Sequence, residues 1–216
     1  MAMAEKSENA VLEHLEVNEK KWDSWAGTYD NKRFDFFRYL QKKAVSLTRL
    51  KEGQSFLDIG CGTGWAVCYA SGLMNGNGKF YGIDLSSKMV GKALENSGGH
   101  KNTYFYNARV EELPFESNFI DVAICTNSFH HYLDPSKALD EIYRVLKPGG
   151  RIYIMDATAD GLLTKFIEKH AMARQPDHVK IYSTREYREL FSKSRIKYVT
   201  TTRAWPEKVH IGEKAI

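Results

Sequence analysis

The stretch Leu57-Asp58-Ile59-Gly60-Cys61-Gly62-Thr63-Gly64-Trp65 decides the fold. A short apolar strand, Ser55–Ile59, runs into three alternate glycines and then into a helical pattern. Strand, glycine loop and helix in that order let a backbone approach a bound ligand closely, because glycine has no Cβ and accepts left-handed dihedrals. The spacing is GxGxG. The dinucleotide pattern GxGxxG needs its third glycine where Trp65 stands, and an indole there argues against a pyrophosphate seated on the helix N-terminus.

Working outward, Asp84 closes a second strand, Lys79–Ile83, twenty residues after Gly64. A carboxylate at that place has acceptors for both hydroxyls of a ribose. Further strands are expected at Thr103–Tyr106, Ile120–Cys125 and Arg151–Met155. Two more, near Ile196–Thr200 and Lys208–Ile211, read as an antiparallel hairpin at the sheet edge, with Pro206 between them. Strands alternating with helical patterns predict an α/β domain with a mostly parallel sheet. Asp134 caps one helix, with Pro135 at its first position, Lys147 in its last turn and Pro148-Gly149-Gly150 stopping it. Ser86 caps a second helix that buries Met89, Val90, Ala93 and Leu94. Ser183 or Thr184 caps a third, with Tyr187, Leu190 and Phe191 inward.

The 216 residues, 43% of them hydrophobic and 27% charged, suit one folded domain and exclude disorder over the whole length. No stretch reaches the ~18 apolar residues of a membrane span. The polar start MAMAEKSENA lacks the apolar run of a signal peptide, so a cytoplasmic protein is expected. Three cysteines without a CxxC pair argue against a disulfide framework or a zinc knuckle. Between residues 165 and 208, eleven Lys or Arg face five Asp or Glu, a basic stretch that is either a solvated face or a surface for an anionic partner. The first fifty residues are aromatic-rich, with Trp22, Trp25, Tyr29, Phe34, Phe36, Phe37 and Tyr39. They read as one or two helices over the mouth of the sheet, or as cover for an ordinary core face.

Four stretches in this order resemble the class I S-adenosylmethionine-dependent methyltransferases of the type 11 group, which includes the ubiquinone and menaquinone methylases: LDIGCGTGW at 57–65, YGIDLSSKM at 81–89, VEELPFESNFIDVAIC at 110–125 and HHYLDPSKALDEIYRVLKPGGRI at 130–152. The resemblance implies a Rossmann-like three-layer sandwich whose seven-stranded sheet has its last strand antiparallel. Residues 1–50 would be a helical cap and residues 51–216 the cofactor-binding domain. S-adenosyl-L-methionine would be the cofactor and S-adenosyl-L-homocysteine the product. By the same resemblance, the backbone of Gly60, Cys61 and Gly62 lines the methionine part and Asp58 helps fix its ammonium. Asp84 binds the ribose, Leu85 and Met89 pack on the adenine, and Arg109, Val110 and Glu111 hold its edge. Asn127 meets the cofactor near the sulfonium. Arg109 departs from the family, which usually has an acid there; arginine offers no acceptor, and Asn107 is the alternative at the adenine edge. Ser194-Arg195 also departs, standing where relatives tend to have a glycine.

Methyl transfer needs alignment and exclusion of water, with a base only for a protonated nucleophile. His131 and Tyr29 are the candidate catalytic residues, with His130 behind them, and Asp156 is expected to face substrate at the same rim. No metal is implied. The acceptor is read as a small molecule or quinone-like compound. An RNA methyltransferase using the basic stretch, a non-catalytic cofactor-binding protein and a nicotinamide-dependent oxidoreductase are the competing readings. Oligomeric state is open.

Overall fold

Strands that are apolar on both faces need cover on both. The computed structural model, which describes residues 2–29, 35–161, 164, 166, 169 and 178–216, provides it. Two helices come first, α1 (Ala2–Trp25) and α2 (Asp35–Thr48). Two βα units follow, β1 (Ser55–Ile59) with α3 (Trp65–Leu73) and β2 (Lys79–Asp84) with α4 (Ser87–Asn96), and then β3 (Thr103–Asn107) leads by a loop into β4 (Ile120–Thr126). A 3-10 turn (Phe129–His131), α5 (Pro135–Val145), β5 (Leu146–Asp156), α6 (Thr184–Lys193), β6 (Lys197–Ala204) and β7 (Glu207–Glu213) complete the order. Phe34 lies outside the described residues.

The seven strands form one sheet in the order β3-β2-β1-β4-β5-β7-β6. Only β7 runs against its neighbours, antiparallel to both β5 and β6, so the expected hairpin forms the sheet's edge. Because side chains alternate along a strand, Leu57, Ile59, Ile83, Cys125 and Ile154 face α5 and α6. Phe56, Phe80, Val122, Ile124 and Met155 face α2 and α3. The strand order reverses between β1 and β4, which opens a crevice at their C-terminal ends. No helix among the described residues is long and apolar enough to cross a membrane.

Local signals hold at most helix starts. Ser86 accepts from the Met89 amide, Asp134 from the Lys137 amide, and Ser183 forms a reciprocal capping box with Glu186. Two expectations are corrected. Leu94 is exposed, because α4 buries only its Met89, Val90 and Ala93 stripe. Lys147 is not in the last turn of α5: the helix ends at Val145, Leu146 is already extended and pairs with Ile120, and Lys147 instead donates to Asp121 Oδ2 at 2.7 Å. Gly150 lies within β5 beside the register shift against β4, where a Cβ would come within 2.8–3.1 Å of three carbonyl oxygens. The glycine-to-arginine departure also has a local answer. Arg195 takes φ +60° at the end of α6 and lays its guanidinium 4.4 Å from the Tyr143 ring centroid.

The glycine loop is fixed at its far end by Gly64, at φ +80° and ψ 10°. A Cβ there would meet Ala93 Cβ and the Phe105 ring at 2.8 Å. Gly64→Ala combines left-handed strain with overpacking, and a loss of about 2–4 kcal/mol in denaturant unfolding is expected. A loss under about 1 kcal/mol would mean that α3 and α4 shift apart at no cost.

Candidate active site

A cavity of ≈ 890 Å³, counting the open space at its mouth, sits in the crevice at the C-terminal ends of β1, β2 and β4. Its floor is Gly60, Gly62, Ile59 and Ile83, and its roof comes from α1 through His14, Leu15, Asn18 and Trp22. Of the residues expected at a site, Gly60, Gly62, Asp84, Leu85, Met89, Arg109, Val110, Glu111, Asn127, Tyr29 and His131 all line this cavity. Asp58 and Cys61 do not line it; both are 1% exposed.

The glycine loop is built by hydrogen bonds to the next strand. The Gly60 and Cys61 amides both donate to the Ile83 carbonyl at 2.9 Å, which commits the Cys61 backbone donor within the fold. A Cβ on Gly60 would fall 2.2 Å from Ser128 Oγ, so only glycine fits against the turn after β4. Trp65 stacks on Tyr69 at 5.0 Å and does not line the cavity. Gly62 at φ +52° turns its amide toward Asp84, donating to Oδ2 at 2.8 Å, while the Ser86 amide donates to Oδ1 at 2.9 Å. Asp84 is thus oriented by two backbone donors, and each oxygen keeps further acceptor capacity.

Asp58 is different. Both of its carboxylate oxygens are buried without a hydrogen-bond partner. Burial, and then the neighbouring Asp84, push its carboxyl up to about 8. Burial also raises Asp84, to about 6, against the lowering effect of the Ser86 and Gly62 amides. A buried, unpaired carboxylate is costly unless a ligand supplies a donor or a positive charge.

Arg109 and Asn107, the two residues expected at the adenine edge, are placed differently. Arg109 lines the cavity, its Nε buried 3.6 Å from Glu111 Oε2. Asn107 does not line it; its Nδ2 donates to the carbonyls of Asp84 and Leu85 at 3.1 and 2.7 Å and braces that turn. The aromatic residues of the N-terminal segment meet here as well. Trp22 packs edge-on against Tyr29 and His131, with centroids 6.2 and 5.5 Å apart, and Tyr29 stacks on Phe37 at 6.4 Å. Asp23 ties α1 to the start of α4, accepting from Ser86 Oγ at 2.5 Å and from the Lys88 amide at 3.3 Å.

One expectation at the rim is corrected. Asp156 does not face substrate. It is fully buried, and its carboxylate lies 2.8–2.9 Å from His130 Nδ1 and accepts from the Ala157 amide at 2.8 Å. His130 is therefore an imidazole paired with a buried carboxylate. Sequence reading missed His14, Asn18, Gln41 and Thr126, all of which line the cavity. The Gln41 signal was present: it is a polar residue on the stripe of α2 that carries Leu40, Ala44, Val45 and Thr48 into the core.

A carboxylate whose folded pKa lies above its unfolded value contributes stability at low pH that is lost as pH rises. For Asp58 the window runs from about 3.8 to about 8. Asp58→Asn removes that slope. The melting temperature of the ligand-free variant relative to wild type is expected to rise between pH 5 and pH 8. A difference that stays flat across this range would show that Asp58 is ionised at little cost.

Comparisons with known proteins agree with this geometry. Residues 57–154 match the family model described as a methyltransferase domain. The uncharacterized methyltransferase YcgJ of Bacillus subtilis is 32% identical over 146 residues, 66% of this chain and 56% of that protein. The ubiquinone/menaquinone biosynthesis C-methyltransferase UbiE of Wigglesworthia glossinidia brevipalpis is 34% identical over 119 residues, 54% and 47% of the two chains. The matched part thus spans about half the length of these curated relatives. A methyltransferase structure from Aquifex aeolicus superposes with a TM-score of 0.72 at 24% identity, covering 90% of this chain and 98% of that one, and so shares the fold. The glycine loop and the acid after β2 both lie within residues 57–154, the part of this chain that is similar to the methyltransferase domain family.

Proposed function

We propose that the chain transfers a methyl group from S-adenosylmethionine to a small-molecule or quinone-like acceptor in the cytoplasm. The observation that carries this reading is a pair of carboxylates around a glycine loop, one buried and one half-buried. One of them, Asp84, is fixed by backbone amides, and the other, Asp58, has no partner. The donor set fits the cofactor. Asp84 would take the ribose hydroxyls, and Asp58 would offset the ammonium. Leu85 and Met89 would cover one face of the adenine. The strip Arg109, Val110 and Glu111 would border its edge, with Val110 donating its backbone N–H and Glu111 providing the acceptor that Arg109 lacks. Gly60 and Gly62 would leave room for the methionine chain, and Asn127 would border the sulfonium end. Cys61 would contribute through the shape of the loop, since its amide is already bonded to Ile83.

The bound cofactor supplies an activated methyl on a good leaving group. The chain's own residues have to orient the acceptor, exclude water and accept a proton where the acceptor carries one. Trp22, Leu15 and Asn18 close the roof over the reaction. Tyr29 and His131 face one another across Trp22 and border the space for the acceptor, His131 being the candidate base. Its backbone carbonyl lies 3.1 Å from His14 Nε2, so the roof helix and the turn after β4 are tied together.

Two measurements test this reading. Asp84→Asn removes an acceptor that pairs with hydroxyls, and calorimetry with S-adenosylhomocysteine is expected to show affinity reduced by about 10- to 100-fold with the fold intact. Unchanged affinity would end the ribose assignment. His131→Gln is expected to leave that affinity within about twofold and to lower turnover on fractionated extract by about 10²-fold or more. Turnover equal to wild type would remove His131 from the chemistry.

A further inference from the structure

Glu207 belongs to none of the roles assigned above. It is the first residue of β7. Because β7 is antiparallel to β5, it enters the sheet at the edge where β1, β4 and β5 end, beside the cavity. Its Oε2 is buried without a hydrogen-bond partner. The groups around it are Asp156, His130 and Asn127. Asp156 is a like charge, and its carboxylate is occupied by His130 and the Ala157 amide. His130 Nδ1 hydrogen-bonds Asp156, and the His130 ring acts on Glu207 through its charge.

Asn127 is the remaining neighbour, and it lines the cavity. It takes φ +53°, an uncommon conformation for a non-glycine residue, and its amide nitrogen donates to the Met155 carbonyl at 2.9 Å. Its Nδ2 is buried and lies beside the Glu207 carboxylate, which it steadies without reaching full hydrogen-bond geometry. Next along β4, Thr126 also lines the cavity; it is 7% exposed and its Oγ1 is unpartnered. Three adjacent polar groups at the end of β4 and the start of β7 are therefore built, buried and unsatisfied. Buried polar groups in that state are rare and call for a partner.

We infer that Glu207 and Asn127 form the acceptor subsite and that they recognise a hydroxyl group. This rests on the methyltransferase reading above and deepens it. A hydroxyl satisfies both partners with one atom, donating its proton to the Glu207 carboxylate and accepting from Asn127 Nδ2. With Glu207 ionised, a carbonyl or ether oxygen serves Asn127 but has no proton for the carboxylate. An ammonium serves Glu207 but meets the Asn127 donor with a donor. Glu207 is a positioning residue here, holding the hydroxyl at the rim where Tyr29 and His131 enclose the space.

The test uses phenol and its methyl ether, anisole, as probes in ligand-observed NMR, on the free protein and on the protein saturated with S-adenosylhomocysteine. Phenol is expected to bind wild type at least tenfold more tightly than anisole, and Glu207→Gln is expected to abolish that preference while leaving S-adenosylhomocysteine affinity within about twofold. Equal binding of phenol and anisole to wild type overturns the inference, as does a phenol preference that survives Glu207→Gln. The wild-type comparison decides the matter even if the variant fails to fold. Failure of S-adenosylhomocysteine to bind wild type would overturn the function reading instead, and the phenol preference on free protein would still be measured.

Discussion

The structure depends on one close approach: a glycine loop pressed between the next strand and the turn after β4. The loop has to reach the Ile83 carbonyl with two consecutive amides, and any Cβ on Gly60 would strike Ser128. At its other end, any Cβ on Gly64 would strike α4 and Phe105. Space that side chains cannot enter becomes space for a ligand. The same tightness carries Asp58 out of water and Asp84 partly so, with desolvation the main reason that both carboxyls are raised. The two are held differently. Two backbone amides steady Asp84, whereas Asp58 has no donor of its own. The free protein carries that unfavourable burial, and a cationic ligand group would relieve it, so stability and affinity are coupled through one side chain.

The roof is made from a different kind of contact. α1 reaches the sheet domain through a few polar ties and aromatic edges: Asp23 at the start of α4, His14 at the His131 carbonyl, and Trp22 against Tyr29 and His131. It thereby closes the cavity over residues that come from four separate strand ends. Division of labour follows from this. The sheet side is rigid and polar at fixed points, and the roof side presents aromatic surface to whatever the acceptor is.

The rim also separates two histidines that are adjacent in sequence and whose rings lie 4.0 Å apart. His130 is paired with the buried Asp156 and works inward, bracing the turn after β4 against the end of β5. His131 works outward, against Trp22 and the cavity. Nothing in the dipeptide distinguishes them. The short 3-10 turn does so, by pointing consecutive side chains in different directions.

Most of the fold was legible in the chain, because strand and helix periodicities, caps and turn glycines are local signals. The glycine loop and Asp84 were legible for the same reason: their spacing along the chain is the spacing of one βα unit and the next strand end. Errors came where long-range pairing overrode a local cue. Lys147 left the helix because Leu146 pairs with Ile120 in β4, and Asp156 turned inward because His130 was there to meet it. Residues far apart in sequence stayed invisible until the sheet closed. Gln41 and Thr126 carry no motif, and each reaches the crevice only because helix packing or strand pairing delivers it there. The chain by itself determined what kind of cofactor pocket forms, since hydrogen-bonding capacity and backbone freedom belong to residue types; the tertiary structure alone decided which polar groups lose their water and face each other, since burial is a property of the assembled fold.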